Sequence, residues 1–150
     1  MSDVLGDRVR ELDRHESLRL LARASVGRIV HTRDALPAVC LVHFSLDGDT
    51  TVLVRVAADS ELTRALDGAV VAFEADEIDE IDTAACSGWS VVVIGRSTVA
   101  NDPAVHERLS RSGPDARAGS PTDVLVRVEA ELVTGREFFR SAPLHVGRDI

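Results

Sequence analysis

The sequence contains no lysine and no tyrosine, and it has only one tryptophan and four phenylalanines. Without lysine the chain has neither a Schiff-base amine nor the cation of a Walker-type phosphate loop, which excludes both chemistries. Because aromatic residues make up 3% of the 150 residues, the core must consist mainly of valine, leucine, alanine and isoleucine. Abundant valine favours β-structure.

Cysteine is also scarce. Cys40 and Cys86 are the two cysteines, and both lie near apolar runs. The charged N-terminal stretch MSDVLGDRVRELDRHE does not have the pattern of a signal sequence. We therefore expect reduced, buried thiols in a cytoplasmic protein.

The charge and hydropathy of the chain exclude two classes of partner. A formal net charge of −8 argues against binding to nucleic acid or to an acidic membrane surface. No apolar run approaches the roughly 18–20 residues that a membrane-spanning helix requires. We expect neither nucleic acid nor membrane as a partner.

Local catalytic and metal-binding motifs are missing as well. The chain has no GxSxG, GxGxxG or HExxH sequence, and its histidines do not have the spacing of metal ligands. His43 lies inside an apolar run, where a packed core residue is the expected role. The acidic run Glu74–Asp82 lacks the glycine and ligand spacing of a calcium loop, and we expect a solvated loop there. The sequence therefore predicts no metal site.

Apolar periodicity predicts one domain over residues 1–150, with a core of about 12–137 and flexible ends, Met1–Leu12 forming a loosely attached lead-in. Six strands are expected, mostly antiparallel, at Val26–Thr32, Leu36–Leu46, Thr51–Ala57, Ala69–Ala75, Gly88–Ala100 and Asp123–Val133. An open sheet of this size would leave apolar edges, which favours a small closed barrel. The apolar centre of Gly88–Ala100, Val91–Ile94, suggests burial on both faces, inside a barrel or at a subunit contact.

Three short helices are predicted between these strands. The first follows a capping box formed by Asp13 and Glu16 and extends to about Ala24. The second covers Ser60–Leu66, and the third begins at Asn101 or Asp102 and ends near Ser110. Asp47-Gly48 predicts a hairpin turn, and Ser112–Pro121 is typical of a loop.

The stretch Thr51–Leu66 is the most suggestive of a binding site. A strand is followed directly by Asp59 and Ser60, both of them residue types that cap a helix start. The free N–H groups and dipole of that helix start, together with Arg55, would suit a phosphate. The alternative, a strand–helix corner with a surface arginine, remains open.

The order of the sequence blocks adds a resemblance. VGRIV, PAVCLVHFSLDGDTTVLVRVAADSELTRAL, VVAFEADEID, GWSVVVIGRSTVANDP and DVLVRVEAELVTGRE follow one another along the chain. This arrangement resembles the pyridoxamine 5'-phosphate oxidase-like family of flavin-binding split β-barrels, over about Leu12–Glu137. The resemblance implies a mainly β protein, a six-stranded antiparallel split barrel. It also implies a homodimer that holds flavin mononucleotide (FMN) at its interface.

The resemblance further implies a set of cofactor-binding residues. One group would bind the phosphate, the second would lie near the isoalloxazine ring, and the third would approach from the partner subunit. The three groups are Arg55, Val56 and Ser60; Val42 and His43; and Trp89 and Ser90.

Two positions depart from the family's pattern. Val56 stands where serine or threonine is frequent, and Glu61 stands where lysine is frequent. An acid in place of a cation beside a phosphate is unfavourable by on the order of one to several kcal/mol. Both departures predict weakened FMN binding.

Three functions are compatible with these observations. In an FMN-dependent oxidoreductase the flavin carries the redox chemistry, and no side-chain acid or base is compulsory, so catalytic residues stay unassigned. A non-enzymatic flavin- or ligand-binding protein would use the same cleft. A structural dimer that has lost its cofactor is the third, and deazaflavin also remains open, because the scaffold does not determine the ligand.

Overall fold

The computed structural model describes residues 7–58, 60–82, 85–100 and 123–141, which form eight antiparallel strands and two helices. The strands are β1 (Asp7–Leu12), β2 (Val26–Arg33), β3 (Leu36–Asp47), β4 (Thr51–Ala57), β5 (Ala69–Asp82), β6 (Ala85–Ala100), β7 (Asp123–Glu129) and β8 (Leu132–Ser141). The helices are α1 (Arg14–Leu21) and α2 (Glu61–Leu66).

Six of the strands close into a ring. The sheet order is β1-β8-β6-β5-β2-β3-β4-β7, and an additional pairing of β7 with β6 joins the ends of the six-stranded part. These six strands, β2 to β7, are the six that the sequence predicts, so the mainly β split-barrel class is confirmed. Strands β8 and β1 continue the sheet outside the ring.

The ring closes where β6 changes partner. β6 pairs with β8 from Ala85 to Ile94 and with β7 from Ser97 to Ala100. Gly95 lies at this change, where a Cβ atom would come within 1.7 Å of the carbonyl oxygen of Glu129. No side chain fits at that distance, so glycine is required for the close approach of the two backbones.

The core fills the inside of the ring, because alternate residues of each strand point inward. On β6, Val91 and Val93 are fully buried, whereas Ile94 is 37% exposed on the outer face. Phe44 and Phe73 meet edge to face with ring centroids 4.7 Å apart. The unbroken apolar run of β6 therefore serves two surfaces, the barrel interior and an outer face.

Both helices in the described residues begin at their predicted caps. The Asp13 side chain accepts from the Glu16 N–H, and the Glu16 side chain accepts from the Asp13 N–H, which completes the capping box. Helix α1 ends at Leu21 rather than near Ala24, and Ser60 caps α2 as predicted. Neither helix is long and apolar enough to cross a membrane.

Three local predictions are wrong. Part of the predicted lead-in forms β1, which pairs with β8 and is tied to it by an ion pair between Arg10 and Glu137. The acidic run continues β5 to Asp82, because its backbone hydrogen-bonds along β6. Asp79 and Glu80 are exposed, whereas the acids before them are half-buried. The last predicted strand is interrupted at Ala130, where the chain leaves β4 and turns to pair with the first half of β6.

Two further predictions concern residues that the structure does not describe. The helix predicted from Asn101 or Asp102 to Ser110 and the loop Ser112–Pro121 both lie outside the described residues.

Candidate functional site

Two of the predicted cofactor residues lie side by side on the outside of the barrel. His43 of β3 is the direct cross-strand neighbour of Arg55 of β4. The neighbours of His43, Val42 and Phe44, point into the core, so the strand's alternation directs the imidazole outward. His43 is exposed, and its prediction as a packed core residue is wrong.

Arg55 is half-buried on this outer face. Its guanidinium forms no ion pair and no side-chain hydrogen bond with any of the residues that the structure describes. The next strand, β7, places Leu125 directly opposite Arg55, and Leu125 is 3% exposed. A half-buried cation that lacks a counter-ion is suited to an anionic ligand.

Ser60 follows Arg55 by five residues and starts α2. Its hydroxyl oxygen accepts from the Thr63 N–H at 3.0 Å and donates to the Ala57 carbonyl oxygen at 2.8 Å. The cap therefore occupies the hydroxyl that the resemblance assigns to phosphate binding. What the corner offers beside Arg55 is the first turn of a six-residue helix.

The side chains of three other predicted residues point into the barrel. Val42, Val56 and Trp89 are 5–6% exposed and belong to the main core cluster. The indole N–H of Trp89 donates to a carboxylate oxygen of Glu77 at 3.0 Å within the same subunit. These side chains are engaged in packing, and their assignment to the cofactor stays a prediction.

Ser90 lies on the same outer face as Arg55 but far from it. Cross-strand neighbours lead from Ser90 through Asp76 on β5, and on across β2 and β3 to Arg55 on β4. Four strand spacings of about 4.8 Å make roughly 19 Å along the sheet. A single chain thus does not bring the two groups of predicted residues together.

A charged cluster lies between these two groups. The Arg28 guanidinium lies 2.7 Å from a carboxylate oxygen of Glu74 and 3.4 Å from one of Asp76. Burial raises the pKa of the Glu74 carboxyl, and a hydrogen bond with Asp76 raises it further, while Arg28 opposes the shift. The cluster keeps one cation beside two acids at the centre of the outer face.

A row of apolar residues crosses five strands on the same face. The register places them side by side from β3 to β8, in the order Val39, Val30, Ala72, Ile94 and Leu132. Val39 is 66% exposed and Leu132 is 53% exposed, although both are large apolar residues. A contiguous exposed apolar row of this kind marks an interaction surface. We call it the outer apolar row.

The inside of the barrel opens into a cavity at one end. It measures about 410 Å³ and lies between the β2–β3 hairpin and α2, with His31, Cys40 and Leu62 among its lining residues. His31 is 7% exposed, and its Nδ1 atom has no hydrogen-bond partner among the described residues. Glu61 forms an ion pair with Arg33 at the rim. We call this space the barrel-mouth cavity.

The described residues contain no cluster of three metal-ligating side chains. The two cysteines are free and half-buried, less covered than the sequence predicts. Sequence reasoning also missed His31 and Arg127. The available signal was alternation, since His31 follows Ile29 on the inner face of β2 and Arg127 follows Leu125 on the outer face of β7.

A ring of six antiparallel strands, with two more strands continuing from one of them, is the architecture of a split β-barrel. The family model described as pyridoxamine 5'-phosphate oxidase matches residues 13–137. This match covers most of the chain, and the protein belongs to that family.

Individual relatives agree with this assignment. An uncharacterised protein of Mycobacterium tuberculosis is 40% identical over 139 residues, which cover 83% of this chain and 82% of that protein. The FAD-binding protein from Mycobacterium smegmatis has 29% identity and a TM-score of 0.66, over 87% of this chain and 98% of that chain. A FAD-binding protein from Mesorhizobium loti has 25% identity and a TM-score of 0.66, over 89% and 98%.

Proposed function

We propose that this protein binds a flavin nucleotide, FMN, at the contact between two copies of the chain and acts as a flavin-dependent oxidoreductase. The observation that carries the proposal is Arg55, half-buried on the outer face without a counter-ion among the described residues. A phosphate group would supply that counter-ion in a bidentate geometry. The names of the two FAD-binding relatives support a flavin as the molecule that carries the phosphate.

The residues of the chain would bind and orient the cofactor. Arg55 holds the phosphate beside the first turn of α2, and His43 lies on the same face at the neighbouring strand position. When bound, the flavin supplies the electron-transfer chemistry, which needs no acid or base from the protein. Redox function on this scaffold therefore depends on binding rather than on a catalytic side chain.

A second subunit would complete the site. The outer apolar row needs a cover, and an identical chain related by a twofold axis provides one with the same chemistry. Within one chain, Ser90 lies about 19 Å along the sheet from Arg55. A partner would bring its own Trp89 and Ser90 towards Arg55. We place this dimer in the cytoplasm, and the free thiols of Cys40 and Cys86 support that location.

The first test is the cofactor itself. The purified protein should be yellow, and the flavin released by denaturation should co-migrate with FMN rather than FAD on chromatography. Turnover with a nicotinamide donor should then reduce the bound flavin. If the protein binds flavin but turns over with none of several electron donors, the oxidoreductase role is contradicted and a binding protein remains. A colourless protein that takes up no added flavin would contradict the whole proposal.

The second test is substitution of the arginine. We expect Arg55→Ala to weaken FMN binding by about 1.5–3 kcal/mol, the range for a hydrogen bond to a charged group. The unfolding of the ligand-free protein should hardly change. Arg8→Ala is the matched control, because Arg8 is an exposed arginine on β1, outside the ring. If Arg55→Ala and the original protein bind FMN with equal affinity, Arg55 is a surface arginine without a role in phosphate binding.

A further inference from the structure

A second arginine shares the outer face with Arg55. The register between β4 and β7 pairs Arg55 with Leu125 and Leu53 with Arg127. Arg55 and Arg127 are therefore diagonal neighbours on adjacent strands, about 7–8 Å apart. Side chains as long as arginine can converge on one group from that spacing.

These two arginines differ from the others in their surroundings. Among the arginines of the described ranges, only Arg55 and Arg127 are half-buried, and the rest are exposed. Like Arg55, Arg127 has no ion pair and no side-chain hydrogen bond within those ranges. Two half-buried arginines on adjacent strands thus lack a counter-ion within those ranges, and an anion between them would supply one together with hydrogen bonds.

Two leucines occupy the other diagonal of the same four-residue register, Leu53 opposite Arg127 and Leu125 opposite Arg55. Leu53 and Leu125 are 1% and 3% exposed and form a small core cluster of their own, with Ala100 packed against it. Long side chains such as those of Arg55 and Arg127 can cover apolar neighbours with their aliphatic stems while they keep the charge in water. Two acids, Asp123 and Glu129, belong to the same outer face, two residues before Leu125 and two residues after Arg127. Asp123 forms interactions of its own. Glu129 forms no ion pair within the described ranges.

We propose that Arg127 is a second phosphate-binding residue and that Arg55 and Arg127 together hold the phosphate of the flavin nucleotide. This inference rests on the proposed flavin-binding function and adds a residue to it. A phosphate monoester carries close to two negative charges at neutral pH, which matches two guanidinium groups. Each planar guanidinium can donate two parallel hydrogen bonds to phosphate oxygens.

The experiment separates phosphate binding from flavin binding. FMN, FAD and riboflavin, which lacks phosphate, are titrated against the original protein, Arg127→Ala, Arg127→Lys and the Arg8→Ala control. We expect Arg127→Ala to weaken FMN binding by about 10- to 100-fold, as for loss of a charged hydrogen bond, and to leave riboflavin binding unchanged. Arg127→Lys should retain part of the affinity, since it keeps the charge and loses the fork.

The comparison of nucleotides identifies the source of the phosphate. A loss confined to FMN supports a terminal monoester at the arginine pair, and a loss confined to FAD supports a diphosphate there. If FMN and riboflavin weaken equally in Arg127→Ala, or if none of the three flavins weakens, the inference is overturned while the flavin function stands.

A protein that binds none of the three flavins overturns the proposed function instead. Inorganic pyrophosphate then tests the arginine pair alone. A rise in melting temperature with pyrophosphate that disappears in Arg127→Ala supports an anion site. A rise of the same size in both proteins, or in neither, overturns it.

Discussion

Glu61 is the residue at which stability and binding have opposite requirements. It occupies the first position of α2, directly after the Ser60 cap, where a negative charge is favourable with the helix dipole. Its carboxylate also forms an ion pair with Arg33 across the rim of the barrel-mouth cavity. Glu61, at the position where the resemblance leads us to expect lysine, therefore has a structural role in this chain.

We predict that Glu61→Lys lowers the free energy of unfolding of the ligand-free protein by about 1 kcal/mol. The loss combines roughly 0.3–1 kcal/mol from the helix dipole with at most a similar amount from an exposed ion pair. Affinity for FMN should rise at low salt, because a cation replaces an anion near the phosphate, and the gain should shrink at high salt.

Chemical denaturation and isothermal titration at two salt concentrations measure both effects. Glu11→Lys is the control, because Glu11 is an exposed glutamate on β1 and its substitution by lysine changes the net charge by the same amount. An FMN affinity that responds equally to both substitutions would mean that Glu61 acts only through net charge, not through its position beside the site.

Single residues also show how far the sequence predicts the site. Arg55 and the Ser60 cap follow from the local pattern of a strand and a helix start, and the structure places both at that corner. Alternation along β7 assigns Arg127 to a face of its strand, but its position beside Arg55 depends on the pairing of β4 with β7, which are far apart along the chain. The exposure of His43 follows from the direction of alternation along β3, which an apolar run does not reveal.

At the scale of elements, the change of partner in β6 determines whether the barrel can close. Up to Ile94 the strand pairs with β8, and from Ser97 it pairs with β7. The backbone of Glu129 fills the space where a Gly95 side chain would lie. Because the obstructing atom belongs to a backbone, it cannot rotate away as a side chain could.

Gly95→Ala should therefore destabilise the fold by about 3 kcal/mol or more, at the upper end of the usual range for overpacking. Gly48→Ala is the comparison. Gly48 has open space around it, so the only cost of a side chain there comes from its positive φ of 66°. That substitution should cost about 1–2 kcal/mol, the left-handed penalty for an ordinary residue. Urea denaturation measures both. A Gly95→Ala protein as stable as Gly48→Ala would contradict the close backbone approach.

Elements with strong periodicity were predictable, and those stabilised by partners were not. All six strands of the ring have an apolar inner face, which gives each a readable pattern. β1 has no such face, and its place depends on β8 and on the Arg10–Glu137 ion pair. The acidic half of β5 has low strand propensity, and its conformation depends on the ladder with β6.

At the scale of the whole molecule, the outer apolar row is apolar surface that a single chain leaves exposed to solvent. The sequence indicated burial of Val91–Ile94 inside a barrel or at a subunit contact. Val91 and Val93 pack inside their own barrel, and Ile94 is the exposed large residue of that run. The row became visible only through the register of five strands, which no local pattern contains. A second copy of the chain is the occupant that we propose for it.

We predict that Val39→Asp separates the dimer into monomers at micromolar concentration, because it places a charge within the proposed apolar contact. Val9→Asp is the matched control: it makes the same substitution at a valine of similar exposure, 60% against 66%, on β1 rather than in the row. Sedimentation velocity should show a dimer for the original protein and for Val9→Asp. FMN should dissociate from Val39→Asp together with the partner, since the site needs both chains. A monomeric original protein that still binds FMN tightly would contradict the interface and confine the site to one subunit.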